Sequence, residues 1–250
     1  MKKIKDKFSQ QAKHYQKFRP TYPTSLYKEI LGLTETRDRA WDCGTGNGQV
    51  AIELAHHFVA VDATDISAKQ LQYAKRANNI NYSQQRAEET KFNDNIFDLI
   101  TVAQAAHWFD MEGYNREFLR VAKNGALIAL WGYGLLRINA EIDFFIDQFY
   151  SEIVGPYWNM ERKHVDNAYR SIPFHFQEIQ LNEEHSITAV WTISQLQGYL
   201  NSWSSVQNYR NDKGVNPVDA FMDKLVPHWK NNETKGVRFP IFTRVGRVRK

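Results

Sequence analysis

Apolar residues in the first half of the chain fall into short strand-like runs separated by stretches with helical spacing. Arg39–Cys43 leads into a cluster of glycines, and Val50–His57 then carries the spacing of a helix. Phe58–Asp65 predicts a second strand, and Ser67–Ala77 a helix that buries Leu71 and Ala74, with Ser67 at its N-cap. Asn81–Ala87 reads as a third strand. Phe97–Ala103 is almost wholly apolar, which predicts a central strand covered on both faces. Met111–Ala122 predicts a helix stopped by Asn124-Gly125, and Ala126–Trp131 a fifth strand. This alternation predicts an α/β fold, a mostly parallel sheet with helices on both faces.

After Gly134 the pattern changes. Ile138, Ile142, Phe145, Phe149 and Ile153 repeat at helical spacing and predict one long amphipathic helix. Residues 155–173 read as a polar, aromatic loop, and Phe176–Ile187 as a single strand. Thr192 with Gln195 forms a capping-box pattern that opens a helix through Tyr209. Asn216-Pro217 opens another, ending near Trp229, and Val237, Phe239 and Ile241 alternate as a closing strand. We expect a single domain over 1–250. Its core is about 24–134 with 176–187 and 236–247, and its cover about 1–23, 135–175 and 188–232.

Composition narrows the class. A chain of 250 residues buries about 70% of its unfolded surface on folding, enough for one sizeable core. The longest unbroken apolar run, Ala126–Leu136, falls well short of the roughly 20 residues a spanning helix needs, so no membrane partner is expected. The lysine-bearing start has no apolar stretch of a secretory signal, and the single cysteine, Cys43, cannot form an internal disulfide. A cytoplasmic protein is expected, as monomer or homodimer. The net charge is +4, with Lys2, Lys3, Lys5 and Lys7 at one end and Arg244, Arg247, Arg249 and Lys250 at the other. Nucleic-acid binding needs a basic stripe on one face. Solvated termini are the preferred reading, and nucleic acid is disfavoured as a partner. A mildly basic protein also suits a small anionic substrate.

The informative stretch is Asp42-Cys43-Gly44-Thr45-Gly46-Asn47-Gly48, after a strand and before a helix. Three alternating glycines let the backbone turn tightly and approach a ligand closely. Asp65 follows near the end of the next strand, a spacing that suits hydrogen bonds to ribose hydroxyls. The dinucleotide pattern G-x-G-x-x-G fails, because Gln49 takes its last position, and no Walker lysine follows. The loop is a poor phosphate cradle.

Here the chain resembles the class I S-adenosylmethionine-dependent methyltransferases. Asp42 with Gly44, Gly46 and Gly48 matches that family's acidic residue and G-x-G-x-G. Asp65 matches the acidic residue closing the second strand, Ala87-Glu88 the adenine contact, and Phe97-Asp98-Leu99-Ile100 the entry to the fourth strand. The resemblance covers roughly residues 8–134. A narrower likeness, to the type 11 or trans-aconitate-methyltransferase-like branch, rests on Tyr15–Pro23, Gln104–Asp110, His164–Arg170 and Gly198–Ser204. Lys123-Asn124-Gly125 departs from that branch's Lys-Pro-Gly-Gly. The resemblance implies a Rossmann-like, mostly parallel seven-stranded sheet with a helical and loop cover over its carboxyl edge. It also implies S-adenosyl-L-methionine as cofactor, a small-molecule methyl acceptor, and cofactor contacts at Tyr15, Arg19, Asp42, Gly44, Gly46, Gly48, Asp65, Ile66, Gln70, Ala87, Glu88 and Gln104. That branch includes enzymes that methylate carboxyl groups of small acids, and many members with no assigned substrate, which makes a carboxylic acid one candidate acceptor. A nucleotide-binding oxidoreductase and a non-catalytic cofactor-binding regulator remain the alternatives.

Methyl transfer from a sulfonium is an in-line displacement, so alignment of the reactants supplies much of the catalysis, about 7–11 kcal/mol when complete. Aromatic faces and carboxylates suit a cation in a site that excludes water. A carboxylate nucleophile needs no general base, whereas an alcohol or amine is helped by a histidine. His107 and Trp108 follow the fourth strand, at the edge where open α/β sheets bind ligands, and are candidates for positioning the substrate. Trp131 and Tyr133 close the fifth strand at the same edge, and Tyr22 is a candidate lid; for each, plain packing is the competing reading. The planar fork of Arg19 suits a methionine carboxylate. In the cover, His164, Tyr169, Arg170 and Trp203 could bind a small anion or simply pack. Histidine spacing offers no metal site.

Overall fold

The computed structural model describes residues 21–230 and 233–250; Tyr15, Arg19 and the lysines at the start lie outside the described residues. Helix α1 (Thr24–Gly32) leads into β1 (Arg39–Cys43), α2 (Gln49–Leu54), β2 (Ala60–Asp65), α3 (Ala68–Gln72), β3 (Ile80–Gln84) and β4 (Phe97–Ala103). A 3-10 turn at Ala106–Trp108 precedes α4 (Met111–Val121) and β5 (Ala122–Tyr133). Then come α5 (Ala140–Gln148), α6 (Arg162–Asp166), β6 (Gln177–Ile179), β7 (Ser186–Trp191), α7 (Ile193–Asn201), α8 (Ser204–Lys213), α9 (Pro217–Leu225) and β8 (Lys235–Arg247).

The strands lie in the order β3-β2-β1-β4-β5-β8-β6, with β7 paired to β8 off this path. The five strands β1–β5 run parallel, and β8 runs antiparallel to β5, β6 and β7. The sheet is therefore the mostly parallel, seven-stranded one expected, with an eighth strand at its end. β4 lies at its centre with Phe97–Val102 buried throughout, as an almost wholly apolar run requires. Trp41, Phe92, Phe97 and Phe118 pack as a ring cluster on one side of the sheet. Leu26, Tyr27, Ile30 and Leu31 of α1 pack with Val50 and Leu54 in another core cluster.

Several boundaries differ from the sequence pattern, each for a physical reason. The helix after Ser67 ends at Gln72 instead of Ala77. The backbone of Lys75 is drawn to the glycine loop, donating to the Asn47 carbonyl (3.1 Å) and accepting from the Tyr82 hydroxyl (2.6 Å). Asn124-Gly125 does not stop a helix. Ala122 already begins β5, and Gly125, at φ 84°, lies where β5 carries extra residues opposite Phe97–Leu99 of β4. The amphipathic helix expected through Ile153 widens after Gln148 into a π-turn, Phe149–Ile153. Residues 155–173, expected as loop, contain α6.

Phe176–Ile187 forms two strands instead of one. β6 pairs with residues 245–247 of β8, and the register of β7 runs along residues 235–240. Opposite ends of one long strand are thus covered by different partners, and the connection folds back on α1, where Asn182 N–H bonds Glu29. The single helix expected through Tyr209 breaks at Ser202-Trp203, because Trp203 turns inward against Tyr150 and Trp158. Three N-caps sit where the sequence places them: Ser67, Thr192 with its complete capping box, and Asn216.

The basic C-terminus is absorbed by the fold. Arg244 bonds the carbonyls of Tyr169 and Ile172 and pairs with Glu178. Arg247 reaches Leu33, Gly125 and Glu35, and Lys250 bonds the Ala122 carbonyl. Those three side chains are engaged by the fold. Among the described residues no helix is long and apolar enough to cross a membrane.

Candidate active site at the carboxyl edge of the sheet

The three glycines all hold left-handed backbone, with φ of 70° at Gly44, 56° at Gly46 and 76° at Gly48. That conformation costs a side-chain-bearing residue about 1–2 kcal/mol. The loop needs glycine for a different reason at each position. A Cβ at Gly44 would sit 2.7 Å from that of Ala105, and one at Gly48 would collide with the Tyr82 hydroxyl. Among the described residues nothing lies within 4 Å of a Cβ at Gly46. Gly44 thus presses the loop against the segment that follows β4, while Gly46 faces open space.

Two carboxylates hold this loop. Asp42 is buried and accepts from the hydroxyls of Thr45 (2.5 Å) and Thr101 (3.0 Å) and from Ala51 N–H (3.1 Å). Burial pushes its carboxyl up to about 6 although these bonds oppose the rise. Asp65, closing β2, accepts from Gly46 N–H and Ser67 N–H, both at 2.8 Å, and is half-buried at the ligand edge. Asp42 is thus spent on the loop itself, and Asp65 links the loop's open corner to the next strand. Cys43 is buried between them, and burial next to Asp42 raises its thiol well above the ordinary value, which keeps it protonated and unreactive.

After β3, Ala87 is buried, and Glu88 accepts from Asp110 N–H (2.9 Å) and pairs with Arg86. Ile66 exposes 37% of its surface, whereas Gln70 is buried. Gln104, at the end of β4, adopts φ 54° and fixes β4 to β5: its N–H bonds the Trp131 carbonyl (2.8 Å), and its side chain accepts from Tyr133 N–H (3.0 Å). A polar residue in left-handed backbone at a strand end carries strain that the neighbouring bonds must sustain.

His107 and Trp108 follow on the 3-10 turn, their rings 4.9 Å apart. His107 is buried, and its Nδ1 lies 3.0 Å from the hydroxyl of Tyr169. Tyr169 comes from the cover. It is fully buried at φ 59°, beside Ala168 at φ 50°, and stands edge-on to Phe242. Trp131 is fully buried, edge-on to both Tyr22 (5.7 Å) and Tyr27 (6.3 Å). Tyr133 lies beside Tyr22 and Phe239. Trp131 is therefore a supporting layer, and Tyr22 and Tyr133 stand above it. His164 bonds Ser171 (2.8 Å), Arg170 is exposed, and Trp203 is buried among cover rings. Of the four cover residues singled out in the sequence, only Tyr169 joins the corner at His107.

Arg162 and Trp158 were not legible as site residues in the sequence. Arg162 lies on α6, with its guanidinium carbon 4.7 Å from the ring centre of Trp158 and 5.5 Å from that of Tyr150. Its Nε donates to the Tyr150 hydroxyl (2.9 Å) and to Asp166 (3.1 Å). A surface hollow lined by Asp94, Arg116, Arg120 and Lys250 lies at the opposite edge, where β4 and β5 begin, and is no part of this site. Among the described residues no group of three or more His, Cys, Asp or Glu could hold a metal.

A parallel sheet in this order, a glycine loop after its first strand and an acidic residue ending its second define a class that the comparisons identify. Residues 41–130 match the family model described as "Methyltransferase domain". A candidate methyltransferase of Dictyostelium discoideum is 32% identical over 96% of this chain and 94% of its own length. A candidate S-adenosylmethionine-dependent methyltransferase of Saccharomyces cerevisiae is 23% identical over 85% of this chain and 86% of its own. The solved structure of a candidate type II methyltransferase from Anaeromyxobacter dehalogenans superposes with a TM-score of 0.86 at 34% identity, covering 93% of this chain and all of the other. The chain belongs to the class I S-adenosylmethionine-dependent methyltransferases.

Proposed function

We propose that this methyltransferase acts on a small molecule, with a carboxylic acid as the acceptor class, at the edge between the glycine loop and the cover. The observation that carries the reading is the abutment of Gly44 against Ala105. It sets the loop after β1 beside the His107–Trp108 corner after β4. Donor-side and acceptor-side groups then share one water-poor place, lined by Tyr22, Tyr133 and Tyr169.

The residues fit S-adenosylmethionine. Gly46 faces open space with the half-buried Asp65 carboxylate against its N–H, as a ribose-binding corner requires. Ile66 offers an exposed apolar face next to it, and Glu88 a carboxylate after β3. Ala87 and Gln70 back this wall, and Gln104 shapes the strand end beneath it. Asp42 serves by holding the loop and makes no ligand contact of its own in this reading. When bound, the cofactor supplies an electrophilic methyl group.

The chain's own residues position and enclose. Trp108 provides a flat apolar wall, and His107, fixed through Nδ1, presents its other edge to the acceptor. A carboxylate acceptor is ionised at neutral pH, so His107 orients it and moves no proton. Incubation with methyl-labelled S-adenosylmethionine and matched sets of small acids, amines and phenols tests this by mass shift. Label in the acids supports the reading. Label confined to amines or phenols contradicts it.

A further inference from the structure

We propose that Arg162 is the anchor for an anionic group of the methyl acceptor, a carboxylate separate from the atom that receives the methyl group. The inference rests on the small-acid reading above and sharpens it to acceptors that carry both an anionic handle and a nucleophile.

Arg162 is built into an aromatic box. Its guanidinium lies over Trp158 and Tyr150, and Trp203 packs on both rings, 5.5 Å from Trp158 and 5.8 Å from Tyr150. The Arg162 side chain keeps 21% of its surface exposed, so the head is sheltered without being sealed. Only one edge of the fork is used. Nε bonds Tyr150 and Asp166, and the terminal Nη1 and Nη2 have no hydrogen-bond partner among the described residues. A guanidinium held flat with its outer edge unused is preorganised for a bidentate carboxylate.

A second observation points to a ligand at the same place. The indole Nε1 of Trp158 is buried with no hydrogen-bond partner. A buried donor without a partner costs about 1–3 kcal/mol, and an anion seated beside this stack would satisfy it. The box also faces the reacting corner. Helix α6, which carries Arg162, packs against the 3-10 turn that carries His107 and Trp108. Arg162 therefore stands on an element that borders the corner assigned to the acceptor.

The anchored group should not be the nucleophile. A fork of charge-assisted hydrogen bonds stabilises a carboxylate and lowers its reactivity. Arg162 suits a distal carboxylate, leaving the reacting oxygen to the His107–Trp108 corner.

The test uses benzoate and succinate with their neutral amides, benzamide and succinamide. Each is titrated calorimetrically into the full chain saturated with S-adenosylhomocysteine, as wild type, Arg162→Gln, Arg162→Lys and Arg170→Gln. Each acid should bind wild type more tightly than its amide. Arg162→Gln should weaken acid binding about tenfold or more and erase the preference, with S-adenosylhomocysteine affinity unchanged. Arg162→Lys, which keeps the charge without the fork, should fall between. Arg170→Gln, which removes an exposed cation, should match wild type. If no acid outbinds its amide, or if either Arg162 variant binds acids like wild type, the proposal is overturned. Should Arg162→Gln fail to fold, the wild-type and Arg162→Lys titrations decide. Loss of S-adenosylhomocysteine binding by wild type would instead break the underlying reading of the cofactor site.

Discussion

The hydroxyl of Tyr169 lies 3.0 Å from Nδ1 of His107, two buried side chains separated by 62 residues in sequence. This bond joins the cover to the carboxyl edge of β4. Tyr169 holds a left-handed backbone, and its carbonyl accepts from Arg244 on β8, so the chain sustains strain to place that hydroxyl. Replacing Tyr169 with Phe keeps the ring against Phe242 and removes only the bond. We expect a melting temperature about 2–4 °C lower, from roughly 1 kcal/mol of lost hydrogen bonding. Catalytic efficiency toward an accepted substrate should fall about tenfold, with S-adenosylhomocysteine affinity unchanged. With a carboxylate acceptor the rate should show no basic group titrating near pH 6–7 in either protein. An unaltered rate in Tyr169→Phe would remove the link between cover and chemistry.

Gly46 and Gly48 should respond differently to the same added methyl group. Gly48→Ala pushes against the Tyr82 ring and its bond to Lys75, and should lower stability by about 1–3 kcal/mol. Gly46→Ala has room, and its cost in the folded protein is backbone strain of about 1–2 kcal/mol. Gly46→Val puts a branched side chain into the space assigned to the cofactor and should abolish S-adenosylhomocysteine binding in a protein that still melts cooperatively. Calorimetry paired with thermal melts reads both quantities. Full affinity in Gly46→Val would reduce the loop to a turn.

Asp42 predicts a pH dependence. Its carboxyl is raised from 3.8 in an ordinary setting to about 6, chiefly by burial. A group with a raised folded pKa stabilises the fold fully below the unfolded value and loses that contribution as pH rises through the folded value. At pH 8 the buried charge is therefore a liability. Asp42→Asn can still accept from Thr45 and Ala51 through its oxygen, and it carries no charge. It should melt about 2–4 °C above wild type at pH 8, and the gap should close between pH 6 and pH 4. A gap independent of pH would show that Asp42 does not titrate in this range.

Much of the fold was legible because the chain follows simple periodicities. Phe97–Ala103 is a strand to the residue, since a run buried on both faces has no polar alternation to blur its ends. The glycine loop and Asp65 could be read because their spacing is set locally by one strand–turn–helix unit. The cover was less legible. Phe176–Ile187 looks continuous, yet it divides between the two ends of β8, and no local signal records that long-range choice. Arg162 lay hidden for a related reason. In sequence it is one charge in a polar stretch, and it gains its setting only when Tyr150, Trp158 and Trp203 converge from separate segments. His164 and Arg170, closer to the family pattern, are turned to other duties or to solvent.

The corner where Asp65 meets Gly46 is tested most directly by calorimetric titration of S-adenosylhomocysteine into wild type and Asp65→Ala. The carboxylate holds Gly46 N–H and Ser67 N–H at 2.8 Å and is assigned to the ribose hydroxyls. Wild type should bind. Asp65→Ala should bind about 10- to 100-fold more weakly, the loss of charge-assisted hydrogen bonds worth about 1–3 kcal/mol, while remaining folded. Equal affinity in the two proteins would contradict the placement of the cofactor at this edge.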